Sequence, residues 1–125
     1  NMSPLSVLSR VVLKRRDLVN VEGDVTKDRR FIWLAGMFLA FPATAYRQVG
    51  GFDERYFLYC EDYDICARLV LAGLKLHVAP KATAIHSAHR ASHSSFSHLK
   101  LHLTSATKVW VSKAYWRIVM RRWQT

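Results

Sequence analysis

Eleven consecutive apolar residues, Phe31-Ile32-Trp33-Leu34-Ala35-Gly36-Met37-Phe38-Leu39-Ala40-Phe41, run directly into Pro42. A stretch with no polar residue cannot turn one face to water, so it must be covered on both sides. Its aromatic content predicts a central strand rather than a surface one. Gly36 inside it permits a bulge or a close backbone approach. Pro42 then starts a short helix that reaches about Val49, and Gly50-Gly51 stop it. Half of the 125 residues are hydrophobic, enough for one compact domain with a real core.

Elsewhere the pattern is mostly helical. Ser3-Pro4 can cap a helix whose apolar stripe is Leu5, Leu8 and Val12, with Lys14, Arg15 and Arg16 at its negative end. Residues 20–30 are polar and mixed in charge and read as a loop. Glu61-Asp62-Tyr63-Asp64 opens a helix with Ile65, Leu69 and Ala72 as its core face, and Gly73 ends it. Residues 74–79 and 82–86 are expected as short strands joined at Pro80-Lys81, and 87–95 as a small, polar, basic loop. One long helix is expected from Phe96 to about Arg122, with Phe96, Leu99, Leu103, Ala106 and Trp110 as one stripe and Lys113, Arg117 and Arg121 as another. Few strands among many helices predict a mixed α/β layer, not a complete doubly wound sheet.

The net charge of +10 is unevenly placed. Residues 1–64 hold nine Lys/Arg and nine Asp/Glu, which cancel, and no acidic residue follows Asp64. The remaining ten Lys/Arg and all six histidines lie beyond it. Such a block is either a solvated basic face or a surface for an anionic partner: nucleotide-sugar phosphates, anionic lipid or nucleic acid. Cys60 and Cys66 form neither a CxxC motif nor a disulfide framework, and read as buried free thiols of a reducing cytoplasm. No secretory signal opens the chain, and no apolar run reaches the ~18 residues of a membrane span.

Three carboxylates within four residues, Glu61, Asp62 and Asp64, follow an aromatic run. Like charges so close repel. Two readings stand: helix capping with salt bridges to Arg55 and Arg68, or a site for a metal, a basic partner or general base work.

The string Gly-Gly-Phe-Asp-Glu-Arg-Tyr-Phe-Leu-Tyr-Cys-Glu-Asp-Tyr-Asp-Ile-Cys-Ala-Arg, Gly50 to Arg68, resembles the GGFDE–F–EDxDxxxR block of family 2 glycosyltransferases, in their bacterial rhamnosyltransferase-like branch. Trp33 to Leu39 resembles the family's W-x-x-G strand, and Ala72-Gly73-Leu74 its AGW turn with Leu for Trp. Val78-Ala79-Pro80 to Ile85-His86 resembles its hairpin and histidine, and Arg90-Ala91-Ser92 the R-x-S that follows. The resemblance spans residues 31–105. It implies the acceptor-side half of a GT-A (nucleotide-diphospho-sugar transferase-like) fold, with few strands and a long C-terminal helix. Residues 1–30 would be a linker helix and loop, 31–95 the acceptor-binding and catalytic half, and 96–125 a basic amphipathic helix.

The implied reaction is inverting transfer of a sugar from a nucleotide-diphosphate donor to a hydroxyl of a glycan or lipid-linked acceptor in cell-envelope polysaccharide synthesis. By the resemblance Asp62 is the catalytic base, Glu61, Gly36 and Trp33 contact the acceptor, and Asp64 caps the helix or pairs with Arg68. Arg90 and Ser92 would bind the diphosphate. His86 is either structural or close to metal and diphosphate. The implied cofactor is Mg²⁺ or Mn²⁺, held by a DxD motif that nothing here matches, since Asp24 and Asp28 have the wrong spacing. The chain therefore reads as a piece of a larger enzyme, inactive alone and prone to self-association through exposed edges.

Trp110, Tyr115, Trp116 and Trp123 interleave with Lys and Arg near the end of the chain. They suit either packing on the domain itself or peripheral contact with an anionic membrane at its cytoplasmic face. Two further readings of the whole are a nucleic-acid-binding basic module and a non-catalytic membrane or partner-binding domain. The acidic cluster, and the lack of any helix-turn-helix, RRM or zinc-finger pattern, argue against nucleic acid.

Overall fold

The computed structural model describes residues 2–4, 23–27, 31–85 and 96–121. Their elements are β1 (Gly23–Asp24), a 3₁₀ turn (Val25–Lys27), α1 (Ala43–Gln48), α2 (Glu61–Leu71), β2 (His77–Val78), α3 (Phe96–Val111) and α4 (Lys113–Arg121). The helix expected from Pro4 onward lies almost wholly outside them, as does the loop at 87–95.

The core is organised around α2. Ile65, Cys66 and Ala67 are almost completely buried, and α2 packs against α4, which in turn packs on α3. Tyr115 and Ile118 of α4 and Val109 of α3 fill the other side, and Met2, Val25, Tyr56 and Leu76 close the edges. Burying a side chain such as Ile65 contributes about 1.5–3 kcal/mol. Trp110 also donates from Nε1 to the carbonyl of Met2 at 2.7 Å, which pins the start of the chain to α3.

The apolar run is not a strand. Residues 31–35 are irregular and Gly36-Met37 lie in a turn. The run finds cover by side-chain packing instead of a ladder. Phe31 and Trp33 meet the Tyr63 ring of α2 edge-on, with centroids 5.3 and 5.4 Å away, a preferred aromatic arrangement. Past the turn, Met37 and Phe38 are exposed.

The 74–86 hairpin is also absent among the described residues. Only His77–Val78 is strand, and it pairs antiparallel with Gly23–Asp24, from the segment read as a loop. Val25 N–H donates to the Leu76 carbonyl at 3.0 Å, and Leu76 N–H donates to Thr26 Oγ1 at 2.8 Å, extending the pair by side-chain means. Residues 82–85 are exposed without ladder partners.

The long C-terminal helix is two helices. Ser112 interrupts it, and its Oγ accepts from the Tyr115 N–H at 3.1 Å. A serine three residues ahead of the amide it caps is a helix start, so α4 sets off in its own direction. The expected α3 stripe holds in part: Ala106 is buried and Trp110 packs on the core, while Leu103 is exposed and Ser105 and Val109 are buried beside them. Lys113, Arg117 and Arg121 line the exposed side of α4, as their spacing predicts.

Where α1 ends, Gly50 and Gly51 both take positive φ. The Tyr46 ring lies over Gly51, and a Cβ there would sit 2.9 Å from ring carbons. Tyr46 Oη also accepts from the Phe52 N–H at 3.2 Å. Gly51→Ala is therefore expected to lower stability by about 2 kcal/mol or more, from left-handed strain plus displacement of the ring. Urea unfolding of the variant checks this.

Candidate active site

Glu61, Asp62 and Asp64 all fall in the first turn of α2, where the positive end of the helix dipole favours negative side chains. The chain reaches that turn through a strained corner. Tyr59 and Cys60 have φ of 69° and 68°, left-handed values at two consecutive non-glycine residues, and each costs about 1–3 kcal/mol. Cys60 is the N-cap but makes no side-chain capping bond. Nothing in the sequence announces this corner, since neither residue is Gly or Asn.

Three of the expected site residues are brought together. Asp62 Oδ2 accepts from the Gly36 N–H at 3.0 Å, across 26 residues of sequence. Its Oδ1 accepts from the Tyr63 N–H at 2.7 Å. Backbone on both sides thus fixes the carboxylate, which stays partly exposed. Glu61 Oε1 lies 3.6 Å from the position a Cβ on residue 36 would take, beside Asp62 Cβ at 3.5 Å. Gly36 serves here by its amide rather than by a positive φ, and a Cβ there would meet Glu61 and Asp62 only at ordinary contact distance. Glu61 Oε2 is buried without a hydrogen-bond partner among the described residues. Trp33 is half-buried against Tyr63, so it stands at the edge of this group. Arg90, Ser92 and His86 lie outside the described residues.

Asp64 is the third carboxylate, and it turns inward. Its Oδ2 accepts from Arg68 Nε at 2.8 Å, one helical turn on, and its side chain is only 4% exposed. Arg68 Nη1 also donates to the Val49 carbonyl, tying α2 to the end of α1. Burial raises the Asp64 carboxyl above its usual range, and the Arg68 charge and hydrogen bond oppose that shift. The cluster therefore divides: Asp64 is structural, while Glu61 and Asp62 face the Gly36 turn. Asp53 and Arg55, earlier in the same segment, pair with each other, and the Arg55 hydrogen bond holds Asp53 below its ordinary value.

Both cysteines are free and buried. Burial, helped by the Asp62 and Glu61 charges, pushes the Cys60 thiol up to about 12. Burial pushes Cys66 to about 11, although its weak contact with the Leu34 carbonyl acts the other way. Thiolate is the reactive form, so the folded chain should react slowly with a disulfide reagent at pH 8 and promptly once unfolded. A raised thiol pKa also means that the folded state keeps its protons. The matching stability is present below the unfolded value near 8.5 and is lost as pH climbs toward 11–12. Thiol titration and alkaline unfolding curves check both expectations.

Among the described residues no group of three or more His, Cys, Asp or Glu could hold a metal ion. Asp24 is bound to the Thr26 N–H and paired with Lys75. The described residues therefore do not by themselves supply a ligand set for a divalent cation.

The chain is 49% identical over 65 residues to the rhamnosyltransferase WbbL of Escherichia coli (strain K12), covering 52% of this chain and 25% of that protein. It is 40% identical over 93 residues to an N-acetylglucosaminyl-diphospho-decaprenol L-rhamnosyltransferase of Mycobacterium tuberculosis (strain CDC 1551 / Oshkosh), covering 71% of this chain and 30% of that one. The chain thus matches less than a third of the length of these relatives. No solved structure matches it. A family model described as "Glycosyltransferase like family 2" matches residues 15–114. With most of its length inside that match, the chain belongs to the glycosyltransferase-like family 2.

Proposed function

We propose that this chain is the acceptor-side part of an inverting GT-A glycosyltransferase and that Asp62 is its catalytic base. The observation that carries this reading is the Asp62 carboxylate, held at a helix start by the Gly36 amide with Glu61 alongside. A sugar hydroxyl is a poor nucleophile until a positioned group takes its proton. In the proposed step the acceptor O–H proton passes to an Asp62 oxygen as the acceptor oxygen attacks the anomeric carbon. The bond from that carbon to the donor diphosphate breaks, and the nucleoside diphosphate leaves with the electron pair. Attack opposite the leaving group inverts the anomeric configuration. Glu61, with a buried oxygen free of hydrogen bonds among the described residues, would accept from a second acceptor hydroxyl, because a buried acceptor left unpaired is costly. Trp33 would border the sugar. Arg90 and Ser92 would meet the diphosphate, Arg by paired contacts with phosphate oxygens. His86 would stand on that donor side, where a divalent cation, if held by the rest of the enzyme, would neutralise the diphosphate charge.

The names of the relatives favour L-rhamnose as the sugar and a diphospho-polyprenol-linked saccharide as the acceptor. The test uses the full open reading frame that contains this chain, with nucleotide-diphosphate rhamnose and a GlcNAc-diphospho-polyprenol. Transfer with inverted configuration, read by NMR of the product, is expected. A product of retained configuration, or no transfer from any nucleotide sugar, would overturn the reading.

With a lipid-linked acceptor the reaction would take place at a membrane surface, which we read as the cytoplasmic face, touched peripherally. No helix among the described residues is long and apolar enough to cross a membrane. On α4, Trp116 and Met120 are 53% and 54% exposed, and the exposed Lys113, Arg117 and Arg121 stand beside them. Apolar residues beside cations on one helix face suit an anionic bilayer surface. Flotation with anionic vesicles is expected, weakening with salt and lost in a Trp116→Ala/Arg117→Glu variant. Equal flotation with neutral vesicles, or none with either, contradicts it.

A further inference from the structure

We infer that Ser105 on α3, with His102 and Lys108, is a positioning residue that clamps the left-handed corner at Tyr59-Cys60 and so sets the place of Asp62. The inference rests on the reading of Asp62 as base, and goes beyond it by giving α3 a part in catalysis. Three contacts carry it, spaced along α3 at residues 102, 105 and 108, and all reach the loop that leads into α2. Ser105, 3% exposed, donates from Oγ to the Leu58 carbonyl at 2.6 Å across 47 residues of sequence. The His102 ring stacks on Tyr59, centroids 4.9 Å apart at 29°. Lys108 Nζ donates to the Arg55 carbonyl.

The corner needs such support. Two adjacent side-chain-bearing residues in the left-handed region persist only where their surroundings over-determine them. Cys60, at the helix start, forms no side-chain cap that could hold the corner from within. The corner, in turn, directly joins the segment held by α3 to Glu61-Asp62, which follow it. Asp62 is fixed on its far side by the Gly36 amide. Releasing the near side would let α2 start differently and move the carboxylate relative to that amide. A buried serine on a helix otherwise packed through Ala106 and Val109 has no reason in core packing alone to be a hydroxyl. Its hydrogen bond to Leu58, one residue before the corner, supplies the reason.

The test is a double-mutant cycle in the full open reading frame, with kcat, donor KM and melting temperature read for Ser105→Ala, Cys60→Gly and the pair. Glycine adopts the left-handed region without strain, so it relieves the Cys60 half of the corner and lessens the need for the clamp. Ser105→Ala alone is expected to lower kcat about tenfold to hundredfold, as displacement of a catalytic group does, with donor KM unchanged. Adding Cys60→Gly should return kcat to within about threefold of Cys60→Gly alone, a coupling of the kind neighbours in one network show. Lys108→Met, which removes only the outer contact, gives a smaller loss in the same direction and serves should Ser105→Ala fail to fold. An unchanged kcat in both clamp variants, or losses that simply multiply with that of Cys60→Gly, would overturn the inference. Asp62→Asn assayed alongside separates the two claims. If that variant keeps its rate, the base assignment fails. The Ser105–Cys60 coupling in melting temperature then still reports whether the clamp exists.

Discussion

Asp62→Asn, in the full open reading frame, is expected to lower kcat by about 10²–10⁴-fold, the range that general base catalysis contributes, while donor affinity stays within about twofold. Asparagine keeps the size of the side chain and an oxygen that can accept from the Gly36 N–H, now 3.0 Å from Asp62 Oδ2. It cannot accept a proton from the acceptor. The amide nitrogen then faces the Tyr63 N–H that now donates to Oδ1, so a stability loss of about 1–3 kcal/mol is expected, and it is the unchanged donor affinity that separates a chemical role from a structural one. Steady-state kinetics with a donor-binding titration reads both numbers. Loss of donor affinity together with rate would mean that residue 62 holds the site together. An unchanged rate would mean that the base lies elsewhere. Glu61→Gln forms the internal comparison: its removal should raise the acceptor KM more than it lowers kcat, since Glu61 is assigned to binding.

The second large effect is on folding. Asp64→Ala is expected to cost about 3 kcal/mol, the low end for breaking a buried ion pair, because Arg68 is 24% exposed and keeps some water. Without Asp64, the guanidinium retains only the Val49 carbonyl as a partner, and its Nη2 already has none among the described residues. For a domain of this size such a loss corresponds to roughly a 10 °C fall in Tm. Replacing both partners by apolar residues, Asp64→Leu with Arg68→Met, should cost much less, since no uncompensated charge remains. Thermal unfolding of the single and double variants checks the comparison. If the double variant is the worse of the two, the pair stabilises the fold outright, beyond cancelling its own burial.

These two carboxylates, two residues apart, show what the sequence can and cannot tell. The helix start at Glu61 was legible because carboxylates belong in a first turn, and the Asp64–Arg68 partnership because four-residue spacing puts both on one face. The short helix between Pro42 and Gly50 was legible from its punctuation. The apolar run misled because a segment covered on both faces reads as a central strand, whereas here Phe31 and Trp33 are half-buried against the core, meeting the Tyr63 ring, and no ladder forms. The pairing of Gly23-Asp24 with His77-Val78 was invisible, since two-residue strands carry no alternation. The break at Ser112 had a signal, a serine three residues before a buried tyrosine, which the continuous apolar and basic stripes on either side concealed. Of the site, the meeting of Asp62, Glu61 and Gly36 followed from motif order. The left-handed corner that presents them did not, because its residues, Tyr59 and Cys60, are not ones that prefer that conformation.

The most direct test is a crystal structure of the full-length protein with its acceptor bound. The acceptor hydroxyl oxygen should lie about 2.6–3.2 Å from an Asp62 carboxylate oxygen, the reach of a general base, with the Gly36 amide still donating to that carboxylate and the donor anomeric carbon on the hydroxyl's other side. An acceptor bound elsewhere, or a reacting hydroxyl that points to Glu61 while Asp62 contacts only protein, would contradict the assignment.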